Sequence, residues 1–136
     1  MKIKAVLDTN VLVSGIFWKG APFEILQAWH KQRFRLAISP PILGEYRRVV
    51  DEITKKRPIP ALSSILEVIQ LHSEMVAPVS FASAVCGDPD DDKFLEAAVA
   101  ADADYVVTGD VVLLNVKRHL RIEIVTPAQF LKLLRR

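Results

Sequence analysis

The feature that most constrains the fold is the alternation of short apolar runs with longer amphipathic segments along the chain. The short runs have the length and the β-branched composition of buried strands, and the longer segments repeat apolar residues at helical spacing. Because each helix can cross over between two parallel strands, this order predicts an α/β fold, a three-layer α/β/α domain with a mainly parallel central sheet. The predicted strands are residues 3–7, 35–38, 75–79, 105–107 and 122–125, and the predicted helices are residues 21–34, 40–53, 62–74, 90–103 and 127–134.

The length of 136 residues predicts one domain over residues 1–136, and a hydrophobic content of 51% is enough to bury a core without metal or disulfide support. Cys86 is the single cysteine, so no intramolecular disulfide can form. The opening apolar run ends at Asp8, too early for a signal peptide, and no run of about 20 apolar residues follows. We therefore expect a cytoplasmic protein that has no membrane partner.

Acidic residues recur where the predicted sheet would bind a ligand. Asp8 directly follows the first strand, and Asp110 lies just after the strand at residues 105–107. Parallel strands bring their carboxyl ends to one edge of a sheet, so these two acids are expected to share a cleft. Glu45 on the helix after the second strand, and Asp92 near the start of the acidic helix, can reach the same edge. The sequence thus predicts four convergent carboxylates.

Four carboxylates in one cleft repel one another unless a cation compensates, and an oxygen-only site favours the hard ions Mg²⁺ and Mn²⁺. A divalent ion there could bind a phosphodiester oxygen, lower the pKa of a bound water and stabilise the charge that develops during displacement. The acids therefore predict a metal-dependent nuclease, in which the number of ions stays open.

The basic residues come in short groups, and the formal net charge of +2 includes the acids of the predicted cleft. The rest of the surface is therefore more basic than the total suggests, which suits a phosphate-rich ligand. Lys55, Lys56 and Arg57 form the basic run best suited to backbone phosphates, although neighbouring prolines also fit an exposed loop.

The four predicted site acids lie in short sequence motifs. The motifs are Asp-Thr-Asn-Val-Leu at residues 8–12, Leu-Gly-Glu-Tyr around Glu45, Asp-Pro-Asp-Asp-Asp-Lys-Phe-Leu-Glu-Ala-Ala around Asp92, and Thr-Gly-Asp at residues 108–110. In this order and at these intervals, the motifs resemble the PIN domain family, and especially the bacterial and archaeal proteins grouped with VapC-type toxins. The resemblance spans almost the whole chain, and the combination of four motifs makes it specific.

The resemblance implies a PIN-like fold in which Asp8, Glu45, Asp92 and Asp110 are the catalytic and metal-binding acids. It implies that Asn10 and Thr108 orient carboxylates or a bound water. It also implies a ribonuclease acting on single-stranded or structured RNA, a homodimer, and a small antitoxin protein as partner of this toxin.

Other acids near Asp92 have simpler interpretations. Asp88, Asp90 and Asp91 are expected to cap the helix or to be solvated, since acids stabilise a helix amino terminus without any catalytic purpose. Glu96 lies four residues after Asp92 on the same predicted helix face and is a lesser candidate for the site.

Two other functions remain open from the residues alone. A phosphotransferase could form an aspartyl intermediate on Asp8, but such enzymes have a second Asp two residues later, where this chain has Asn10. A PIN-like module could instead bind RNA or protein without catalysis, although all four expected acids are present.

Overall fold

The computed structural model describes residues 2–56, 62–81 and 83–136. The strands are β1 (Lys4–Leu7), β2 (Arg35–Ile38), β3 (Glu74–Met75), β4 (Tyr105–Val107), β5 (Arg118–His119) and β6 (Ile122–Val125). The helices are α1 (Thr9–Phe17), α2 (Ala21–His30), α3 (Pro40–Lys56), α4 (Leu62–His72), α5 (Asp92–Ala101), α6 (Val111–Leu114) and α7 (Pro127–Leu134).

The strands form a sheet in the order β3-β2-β1-β4-β6-β5, in which only the β5–β6 pairing is antiparallel among the described pairs. The central strands are apolar because helices cover both faces of a parallel sheet. Ala5, Val6 and Leu7 on β1 have no exposed surface, and α5 packs on β1, β2 and β4. The expected α/β fold with a mainly parallel sheet between helices is confirmed.

Helix α1 (Thr9–Phe17) is absent from the predicted elements, among which the first helix begins at residue 21. Its residues Val11, Leu12, Val13 and Gly15 are buried along with Thr9. A helix that is buried on several sides has no polar stripe, so the spacing that reveals an amphipathic helix is absent. Gly15 adds a residue of low helix propensity.

Other differences fall at element ends. Residues 76–79 are not a strand, because β3 ends at Met75. Helix α2 ends at His30, and α5 spans only Asp92–Ala101, after which Asp102 takes a left-handed conformation at φ 54°. The short elements α6 and β5 were not predicted. Periodicity cannot detect elements of two to four residues.

No helix in the part of the chain that the structure describes is long and apolar enough to cross a membrane.

Candidate active site

The predicted site acids Asp8 and Asp110 follow the two strands at the centre of the sheet. β1 is hydrogen-bonded to β2 on one side and to β4 on the other, with Leu7 opposite Val107. After β1 the chain continues to β2 on one side, and after β4 it continues to β6 on the other side. Ligands of parallel sheets usually bind at such a switch point, outside the carboxyl ends of the two strands. Asp8 and Thr108 follow the paired residues directly and therefore lie next to each other.

Asp8 and Asp110 are joined through Thr108. The Thr108 hydroxyl donates to Asp8 Oδ2 at 2.5 Å and accepts from the Asp110 N–H at 2.9 Å. Asp110 also caps α6 by accepting the Val112 N–H at 3.0 Å. Burial raises the pKa of Asp8, whose side chain is 6% exposed, and the charges of Asp110 and Glu45 raise it further, against the lowering effect of the Thr108 hydrogen bond. Thr108 therefore contacts both acids, and its role in orienting them stays a prediction.

Glu45 reaches Asp8 because α3 is fixed to the end of β1. The buried Tyr46 hydroxyl donates to the carbonyl oxygen of Leu7 at 2.5 Å. Burial raises the pKa of Tyr46 far above its ordinary value, so this hydroxyl remains a donor. Next to it, Glu45 Oε2 accepts the Thr9 hydroxyl from the first turn of α1.

Asp91, which was expected to be a cap or a solvated acid, lies in the cluster. It is the residue before α5 and makes no side-chain cap hydrogen bond. Burial raises the pKa of Asp91 to about 6, followed by the charges of Asp110, Asp88 and Asp8, and its carboxyl lies within hydrogen-bonding reach of Asp110. Two carboxyl groups within hydrogen-bonding reach of each other cannot both ionise freely.

Asp92 is not brought together with the other predicted acids. Its two carboxylate oxygens accept the N–H groups of Val85 at 2.9 Å and Cys86 at 3.0 Å. Burial alone would raise the pKa of Asp92, but the hydrogen bonds from Cys86 and Val85 outweigh burial and lower it below 3.8. Asp92 therefore anchors the segment before α5.

Glu96 has the same role one turn later, since its Oε2 accepts the Phe81 N–H at 2.9 Å. The sequence shows that Asp92 and Glu96 are four residues apart on one helix face, and the structure shows that this face binds the N–H groups of Phe81, Val85 and Cys86. Three consecutive acids cannot be told apart by sequence, because the rotation at the start of α5 decides which of them faces Asp110. Residue spacing gives no signal for that rotation.

Lys93 is a site residue that sequence reasoning missed. Its ammonium lies 2.5 Å from Glu45 Oε1 and 3.7 Å from Asp90 Oδ1, and its side chain is 15% exposed. The partner residue Glu45 is 48 positions earlier in the chain. Only tertiary structure could reveal this pair.

The remaining predicted residues lie around the cluster or away from it. Asn10 is exposed in the first turn of α1. Lys55 and Lys56 are exposed at the end of α3, about 15 Å along the helix from Glu45 at 1.5 Å per residue. Arg57 lies outside the described residues.

The chemistry of the cluster suits a divalent cation, but its ligands are not already arranged around one. Across residues 2–56, 62–81 and 83–136, no three His, Cys, Asp or Glu side chains are in position to hold a metal ion. Burial is the main reason why the pKa values of Asp8 and Asp91 are raised, and the charges of neighbouring carboxylates raise them further. Oxygen ligands of this kind fit Mg²⁺ or Mn²⁺.

Comparison with known proteins identifies the family. Residues 4–112 match the PIN domain. The chain belongs to the PIN domain family. This match includes every residue of the cluster, from Asp8 to Asp110.

Two relatives show how far this PIN domain resembles known proteins. It is 26% identical over 143 residues to an uncharacterized protein of Methanocaldococcus jannaschii, covering 97% of this chain and 92% of that protein. Its fold is similar to a chain of the crystal structure of VapBC2 from Rickettsia felis bound to a DNA fragment from their promoter, at a TM-score of 0.57 and 19% identity. The similarity covers 90% of this chain and 98% of that one. At this identity, the second relative supports the fold alone.

Proposed function

We propose that this PIN domain is a divalent-metal-dependent endoribonuclease. The observation that carries the proposal is the hydrogen-bonded link between Asp8 and Asp110 through Thr108 at the switch point of the sheet, with Glu45 bound to Thr9 beside them. Burial raises the pKa of Asp8 and of Asp91, and acids whose pKa is shifted in this way are typical of functional sites.

The roles of the residues follow from their contacts. Asp8, Asp91 and Asp110, together with Glu45, would hold Mg²⁺ or Mn²⁺, which when bound supplies an activated water and stabilises the charge on the phosphate. Thr108 holds Asp8 and Asp110 in fixed relation. Asp92 fixes the start of α5, and so keeps Asp91 directed at Asp110.

A cleavage assay with neighbouring isosteric variants tests this assignment. We expect Asp8→Asn and Asp91→Asn to lose about 100-fold or more of the Mn²⁺-dependent cleavage of single-stranded RNA, because each removes a charged ligand. Asp92→Asn, assayed where it remains folded, should keep most of the activity. Equal activity of the wild type and the three variants would rule out the catalytic cluster. If Asp92→Asn lost the cleavage activity and Asp91→Asn kept it, Asp92 rather than Asp91 would be the metal ligand.

A catalytically silent binding module is the second candidate, and one observation favours it. Both oxygens of Glu45 already have partners, Thr9 and Lys93, without any metal. RNA that binds with micromolar or better affinity and is never cut under any divalent ion would establish this alternative. An aspartyl phosphotransferase is less well supported, since Asp8 is 6% exposed and Thr108 occupies one of its oxygens; a trapped phospho-Asp8 would be decisive for it.

We further propose that the chain is a cytoplasmic toxin that forms homodimers and pairs with a small antitoxin protein. The support is the resemblance to VapC-type toxins and the fold similarity to VapBC2. Co-expression with adjacent small genes tests the pairing, and toxicity unchanged by all of them would count against it. Light scattering after gel filtration tests the dimer.

A further inference from the structure

Lys93 places a positive charge inside an otherwise anionic cleft. Its ammonium contacts Glu45 at 2.5 Å, and its side chain is 15% exposed. On the solvent side it approaches Asp90, whose side chain is 85% exposed. The ammonium therefore lies at the boundary between the acid cluster and the solvent, where a ligand entering the cleft would pass.

The second cation at Glu45 is much less committed to the cleft. Arg48 approaches Glu45 Oε1 only to 3.9 Å and is 61% exposed. It contacts Glu52 more closely, at 3.2 Å, in an ordinary surface pair one helical turn away. Of these two cations, Lys93 is the one that is fixed and partly desolvated.

Charge balance shows why such a cation matters for an anionic ligand. The negative charges of Asp8, Glu45, Asp91 and Asp110 together repel a phosphate. An ammonium has three donors, and those not used by Glu45 can bind a second oxygen.

We propose that Lys93 binds a phosphate oxygen of the RNA backbone while its carboxylate partner Glu45 holds the ammonium in place. This inference rests on the proposed function. It assigns Lys93 as an RNA-contacting residue. The competing interpretation is an ion pair that only orients Glu45.

RNA binding without divalent ions separates the two interpretations. The probe is a fluorescein-labelled single-stranded RNA in chelator-containing buffer, and the readout is the dissociation constant by anisotropy over a series of KCl concentrations. We expect Lys93→Gln to weaken binding about 5- to 10-fold and to make the slope of log affinity against log salt shallower by about 0.7, the loss of one phosphate contact on a single strand. Lys93→Arg should restore the slope, and Lys31→Gln, at an exposed residue just after α2, is the control for one lost surface charge.

Glu45→Gln tests the proposal at the other residue of the ion pair. If Lys93 contacts RNA, this variant keeps the wild-type slope and binds more tightly, because a negative charge leaves the cleft while the amide oxygen in its place still accepts from the ammonium. If the pair only orients Glu45, Lys93→Gln has the slope of the wild type, because no phosphate contact is lost. Should Lys93→Gln fail to fold, Lys93→Met, which keeps the apolar stem of the side chain, replaces it in the same titration.

The outcomes also separate this inference from the proposed function. Equal affinity and slope for wild type and Lys93→Gln would overturn the role of Lys93 and leave a nuclease that binds RNA. Absence of RNA binding by the wild type would overturn both proposals.

Discussion

Asp91 and Asp92 are adjacent and chemically identical, yet their surroundings move their pKa values in opposite directions. Asp91 faces other carboxyl groups, and its pKa rises to about 6. Asp92 faces backbone N–H groups, and its pKa falls below 3.8. The same isosteric substitution should therefore have opposite effects on stability at the two positions.

We expect Asp91→Asn to stabilise the metal-free protein at about pH 7.5 by roughly 1 kcal/mol, after allowance for solvent screening. Between pH 3.8 and about 6 the folded state binds more protons at Asp91 than the unfolded state, so stability falls as pH rises through this window. Asn removes that penalty. Urea unfolding of both proteins should show a gain that is largest above pH 6 and shrinks towards pH 4; a less stable variant at neutral pH would contradict this account.

Asp92→Asn should destabilise the fold by about 1–3 kcal/mol, because one of two buried N–H groups loses its acceptor. The depressed pKa means that Asp92 contributes stability above pH 3.8, and that this contribution is lost as pH falls through the lower folded-state value. The difference in stability between wild type and Asp92→Asn should therefore shrink in acid. Thermal unfolding of both proteins at neutral and acidic pH measures this difference. An unchanged melting temperature of the variant at neutral pH would show that the two hydrogen bonds contribute little.

At the scale of elements, α1 depends on close packing against α2. A Cβ added at Gly15 would lie 2.7 Å from the Pro22 carbonyl oxygen and 2.7 Å from Leu26 Cδ1. The backbone oxygen cannot move without displacing the start of α2. This helix pair fixes the first turn of α1, which carries Thr9 against Glu45.

Gly15→Ala is therefore expected to destabilise the protein by about 1–3 kcal/mol through overpacking. Gly44→Ala on α3 is the matched control, since a Cβ there meets nothing within 4 Å. In a helix interior that change should be neutral or stabilising by up to about 1 kcal/mol. Denaturant unfolding of both variants decides the point, and equal effects would show that α1 and α2 can separate at little cost.

At the scale of the whole molecule, cation binding should stabilise the fold by mass action. Mn²⁺ at 100 times its dissociation constant would add about 2.7 kcal/mol. The effect should increase as pH rises through 6, because Asp91 must lose its proton to become a ligand. Melting temperatures with and without Mn²⁺ at several pH values measure this, with Asp8→Asn as the control that should show little shift. Identical shifts in both proteins would place the ion elsewhere on the surface.

The sequence by itself determined the α/β class, the mainly parallel sheet and the place of Asp8 and Asp110 after their strands, whereas the shared catalytic role of Asp8, Glu45 and Asp110 stays a prediction. These follow from local rules, because strand-length apolar runs and helical spacing report burial, and an acid that directly follows a strand has few structural reasons to be there. The sequence also shows that Asp92 and Glu96 share a helix face, because they are four residues apart.

The tertiary structure alone decided which acid of the 90–92 run enters the cluster and which cation accompanies it. A rotation at the start of α5 turns Asp91 towards Asp110 and Asp92 towards the N–H groups of Val85 and Cys86. Lys93 meets Glu45 across 48 positions of sequence. Helix rotation and long-range pairing depend on how whole surfaces pack, and residue spacing along one segment does not contain that information.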